Sequence, residues 1–136
     1  IMEIKFDQIN IYTHNPAKLY GFLSFVFDLE SYDDSVSSSV FVIIDGVRLN
    51  LIQTEKKTLD KTLIFSLKTS TVAELSELAQ MLEFYAYKEK QRKPRYSLEE
   101  NALHFHDPDG RNWEVKVKNI PKTVPDKDAR DLTFQM

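Results

Sequence analysis

The residues best suited to chemistry lie close together in the last third of the chain. His104 and His106 alternate with apolar residues in Ala102-Leu-His-Phe-His106, and Glu114 sits in the run that follows. Side chains two apart on a strand project to the same side. Two imidazoles at that spacing, with a carboxylate on a neighbouring strand, could hold a metal ion or move a proton. The same pair also suits plain polar decoration of a strand that ends at a turn. His14 lies beside Asn15-Pro16, where an end-of-strand role is expected. The sequence has no cysteine, which excludes disulfides, zinc–thiolate sites and thiol nucleophiles. Ser37, Ser38 and Ser39 are loop composition rather than a nucleophile elbow. No Walker loop, dinucleotide fingerprint or His-Glu-x-x-His motif occurs.

The elements that must position these residues can be read from periodicity. Residues 5–13 alternate polar and apolar side chains, as a half-buried strand does. Asn15-Pro16 reads as N-cap and first helical residue. Leu19, Phe22, Leu23, Val26 and Phe27 follow at helical spacing and predict one apolar face. A Ser/Asp-rich link over 31–39 leads to a strand over 40–44. Asp45-Gly46 then marks a hairpin turn, and its partner strand covers 47–53. The order recurs in the second half. A strand is expected over 62–67, and Thr71 with Glu74 forms a capping-box pattern. Val72, Leu75, Leu78, Ala79 and Leu82 mark a second amphipathic helix. A short strand over 95–98, a strand over 102–106, a tight turn at Asp107-Pro-Asp-Gly110 and a last strand over 112–117 complete it.

A chain of 136 residues with 42% hydrophobic and 29% charged residues suits one compact, ordered unit. The net charge of −3 argues against a nucleic-acid binder. Lys88, Lys90, Arg92, Lys93 and Arg95 are a local exception, read as a solvated connection. Apolar runs are too short to span a bilayer, and no signal peptide is apparent. A cytoplasmic protein is expected, without membrane or nucleic-acid partners.

The doubled strand–helix–strands order, the opening strand with Asn15-Pro16 and a helix ending Phe27-Asp-Leu-Glu30, and the closing Phe105-His-Asp-Pro-Asp-Gly-Arg-Asn-Trp-Glu114 together resemble the vicinal-oxygen-chelate superfamily. This is the glyoxalase, bleomycin-resistance and dioxygenase-like group. The resemblance covers roughly residues 4–118. It implies an α+β fold of tandem βαβββ modules, about 4–56 and 61–118, whose mixed sheet curls around a cavity. The tail over 119–136 lies outside it. A homodimer is also implied. Metal-dependent members take His, Glu, His and Glu ligands from the first and last strands of each module. Here Gln8 and Asn50 stand at two of those positions, the third falls on or near Leu63, and only Glu114 matches. Two neutral amides and one carboxylate are a weak set for a divalent transition metal. The expectation is a chain with no metal and no cofactor.

Strand alternation supplies the lining independently. With the apolar faces under the helices, the polar faces leave Gln8, Asn10, Tyr12, Arg48, Asn50, His104, His106, Glu114 and Lys116 as the candidate ligand-binding set. These would bind a small polar or anionic molecule without metal-dependent catalysis. The alternative is a lyase, isomerase or thiol transferase of the same superfamily. It would work through Glu114, with or without a metal at His104 and His106. A structural or interaction role is the third reading.

Overall fold

The computed structural model describes residues 1–31 and 39–118. The expected link over 31–39 falls largely, and the tail wholly, outside them. The chain divides into two compact units, residues 1–59 and 60–136.

In the first unit, β1 (Gln8–Thr13) leads into α1 (Pro16–Phe27), then β2 (Phe41–Ile44) and β3 (Val47–Gln53). Asn15 caps α1 as expected, its side chain accepting from the Lys18 N–H, with Pro16 opening the helix. Asp28 ends it in the left-handed region. Asp45 and Gly46 both have positive φ, 52° and 74°, the geometry a two-residue hairpin requires. The sheet order is β1-β3-β2, with β1 parallel and β2 antiparallel to the central β3. Leu19, Phe22, Leu23 and Val26 of α1 are buried together with Ile11, Val42, Leu49 and Leu51 of the sheet. Phe27, expected on the same face, is only half-buried.

The second unit runs β4 (Ile64–Thr69), α2 (Val72–Glu89), β5 (Arg95–Ser97), β6 (Ala102–His106) and β7 (Asn112–Val117). Its sheet order is β4-β7-β6-β5, with β4 parallel to β7 and the other pairs antiparallel. Leu75, Leu78, Ala79, Leu82 and Ala86 of α2 are buried, as are Leu103, Phe105, Trp113 and Val115 of the sheet. Phe65 stacks on Trp113 with ring centroids 4.5 Å apart. Removing side chains of this size from water contributes roughly 1.5–3 kcal/mol each.

Three expectations shift. β1 begins at Gln8 rather than at residue 5, because the leading residues find no strand to pair with. β4 runs 64–69 instead of 62–67, because β7 sets its register from Ile64↔Asn112 onward. α2 continues through Lys88 to Glu89, with Lys90 as its left-handed cap. The basic segment is therefore partly helix and, at Arg95, partly strand; Ala86, buried one turn past Leu82, extends the apolar face. The capping box also differs in detail. The Thr71 side chain accepts from the Glu74 N–H, while the Glu74 carboxylate accepts from the N–H of Ser70 rather than of Thr71.

Candidate functional site

The most recognisable motif in the chain turns out to be a structural cornerstone. Asp107 is 2% exposed and Arg111 6%. One Asp107 carboxylate oxygen accepts from the N–H groups of Asp109 and Arg111, at 2.9 and 3.0 Å. The other accepts from the Arg111 guanidinium and, at 3.0 Å, from the Trp113 indole N–H. The carboxylate ties the turn to the core, and no acceptor capacity faces a ligand. Gly110 closes this turn at φ 84°.

On the first unit's polar face the structure brings together Asn10, Arg48 and Asn50. Arg48 Nε donates to Asn50 Oδ1 at 2.6 Å, and Asn50 Nδ2 donates to Asn10 Oδ1 at 3.0 Å. The Arg48 guanidinium also lies 3.8 Å from the centre of the Phe41 ring. This is a polar ladder whose members satisfy one another. Gln8 pairs across from Arg48 and Tyr12 across from Ile52; both are exposed. His14 takes its expected place at the strand end, its ring nitrogen 2.6 Å from the Lys56 carbonyl.

The second unit's polar face carries the densest chemistry. The ladder sets His104 opposite Glu114 and His106 opposite Asn112. His104 Nδ1 lies 3.8 Å from Glu114 Oε2, and His104 Nε2 lies 3.2 Å from Glu100 Oε2. Lys116 Nζ is 3.8 Å from the other Glu114 oxygen. The Glu114 side chain is 17% exposed, reachable but largely shielded. Glu100, His104 and Glu114 each offer a ligand atom within 4.8 Å of the others, so these three groups could hold a divalent ion. His106 does not join them. It shares the face, but two residues of strand place it about 7 Å further along. Burial holds its imidazole below the ordinary histidine value, helped by the nearby Arg92 guanidinium and Lys61 ammonium and opposed by the Asp107 carboxylate and a hydrogen bond to the Asn112 side chain.

Glu100 escaped the strand-face reading because it sits in the turn between β5 and β6, outside any alternating pattern. Its four-residue spacing from His104 was the available signal. The register of β4 against β7 fixes what stands beside Glu114. Beside Glu114 the register places Ser66, and the face of β4 otherwise presents Ile64 and Lys68. None is an imidazole or carboxylate.

No family model matches the sequence, and no curated protein matches it. Solved structures do. A possible glyoxalase from Bacillus cereus superposes with TM-score 0.65 at 16% identity, over 84% of this chain and 99% of its own. The fosfomycin resistance protein FosX from Mesorhizobium loti gives 0.63 at 20% identity, over 88% and 96%. A point mutant of FosX from Listeria monocytogenes, complexed with Mn(II) and 1S,2S-dihydroxypropylphosphonic acid, gives 0.62 at 17%, over 85% and 90%. The chain thus has the vicinal-oxygen-chelate fold expected from its sequence. Two mixed sheets, of three and four strands, each carry one helix. No described helix is long and apolar enough to cross a membrane.

Proposed function

We propose that this chain is a small-molecule binding protein on a vicinal-oxygen-chelate scaffold, taking a polar or anionic molecule on its polar sheet face. In this reading no metal sits at the positions that family members use. The observation that carries it is the setting of Glu114. Its carboxylate is shielded, flanked by His104 and Lys116, and faced in register by Ser66. Such a site offers acceptors, a cation and an imidazole to a ligand with hydrogen-bonding groups.

The proposal extends to a homodimer in the cytoplasm. Exposed apolar side chains at Tyr12, Leu63 and Ile64 motivate the self-association. The test is a screen of small polar and anionic compounds against wild type and Glu114→Gln, read by backbone amide shifts. Binding that depends on Glu114 and needs no added metal supports the reading. Hits unaffected by the substitution, or found only with metal, sink it.

A second reading has its own observation, the three ligand atoms of Glu100, His104 and Glu114. It makes Glu114 part of an enzyme's metal site displaced from the family's positions, and puts Glu100 where His106 was expected. Lys116 beside Glu114 opposes a cation there. Titration with zinc, nickel and manganese, followed by elemental analysis, separates the two readings.

A further inference from the structure

At the turn end of the second unit's polar face, two cations gather outside ion-pair distance of any described carboxylate. His106 and Asn112 face each other across the β6–β7 ladder. Asn112 Nδ2 donates to the Lys61 carbonyl at 3.4 Å, which holds Lys61 beside the end of β7. The Lys61 side chain then lies along the turn, its Nζ 3.3 Å from where a Cβ on Gly110 would stand. Arg92 comes from the other side. β5 opens at Arg95 opposite His104, so the residues just ahead of it pass His106. Both cations act electrostatically on the His106 ring, opposed there by the Asp107 carboxylate.

Among the described residues, neither Lys61 nor Arg92 is within ion-pair distance of a carboxylate. Asp107, the acid adjacent in sequence, is turned into the core and saturated by Arg111, Trp113 and two backbone N–H groups. A guanidinium fork and an ammonium are donors without a carboxylate partner, beside an Asn112 amide that donates to the Lys61 carbonyl and hydrogen-bonds the His106 ring.

We propose that Lys61, Arg92, His106 and Asn112 form a subsite for a small oxyanion, the phosphate-like end of the bound molecule. Arg92 supplies the fork that matches two oxygens, Lys61 the point charge and Asn112 its second amide N–H, while His106 holds the Asn112 side chain in place. The subsite deepens the reading of the same face as a ligand site. Asn112 and Glu114 are two residues apart on β7, about 7 Å. One small molecule can therefore place its anion here and a hydroxyl or amine at Glu114 and His104.

The test uses inorganic phosphate alone, titrated into the whole chain at low ionic strength and read by calorimetry and by amide shifts. Binding in the millimolar range is expected, with shifts concentrated at residues 61, 92, 106 and 112. Lys61→Gln and Arg92→Gln should each weaken it about fivefold or more, and the double variant should abolish it. Unchanged amide spectra elsewhere show that the variants fold. No binding through the millimolar range, or binding equally strong in both variants, overturns the subsite. Phosphate binding lost while Glu114-dependent ligands still bind defeats only this inference. Phosphate bound with no Glu114-dependent ligand defeats only the broader proposal.

Discussion

Two carboxylates seven residues apart in the sequence lead opposite lives. Asp107 spends its acceptor capacity on the turn and on a guanidinium that is itself buried. Asp107→Ala leaves buried Arg111 with the longer 3.5 Å contact to Asp109 and strips the Trp113 indole of its acceptor, so a loss of roughly 3 kcal/mol is expected, measured by urea unfolding. Glu114 sits in partial contact with water, and its partners are 3.8 Å away. Glu114→Gln is expected to change stability by less than about 1 kcal/mol while removing ligand binding. His106 makes a pH prediction. Its folded pKa lies below the unfolded value of 6.5, so the unfolded chain takes up the proton first as pH falls. Stability contributed by the neutral ring is present above that value and declines as the solution becomes more acidic. Unfolding curves from neutral to mildly acidic pH should show a smaller decline in His106→Gln than in wild type.

At the scale of elements, the turns and caps carry most of the specification that single residues can alter. Gly46 at φ 74° closes the β2–β3 hairpin. Gly46→Val forces a β-branched side chain into that region and should cost about 1–2 kcal/mol, read by thermal unfolding. Lys90 ends α2 at φ 54°, where its backbone N–H donates to the Ala86 carbonyl. Lys90→Gly should raise stability by up to about 1 kcal/mol, because glycine carries no Cβ cost in this conformation. The opposite sign of the two substitutions checks that backbone conformation, rather than side-chain contact, sets both.

For the whole molecule the deciding quantities are metal content and mass. Near-stoichiometric zinc, nickel or manganese after incubation would move the reading to Glu100, His104 and Glu114. The metal-free reading predicts substoichiometric, chelator-labile metal instead. Sedimentation should report a dimer, and Ile64→Glu should shift it toward monomer if the exposed β4 residues form the interface. In that variant the helical circular dichroism should be retained, since Ile64 is 55% exposed.

Much of this was legible in the sequence because it depends on local rules. Asn15-Pro16, Asp45-Gly46, Thr71 with Glu74, and the turn at Asp107-Pro-Asp-Gly110 each act through backbone geometry that one or two residue types satisfy. Alternation likewise put His104, His106 and Glu114 on one face, as the ladder shows. What strand periodicity cannot supply is register across a parallel pair and the company kept by a turn. β7 decided that Ser66 lies beside Glu114. The β5–β6 turn brought Glu100 to His104, and the pairing of β4 with β7 brought Lys61 to Asn112. The role of Asp107 was hidden for the same reason. A carboxylate in a turn looks solvated until the fold shows an indole and a guanidinium converging on it. Local conformation is chosen by neighbours in sequence, and the sequence determined it here. The partners of a charge are chosen by chain segments far apart in sequence, and only the tertiary structure could decide those.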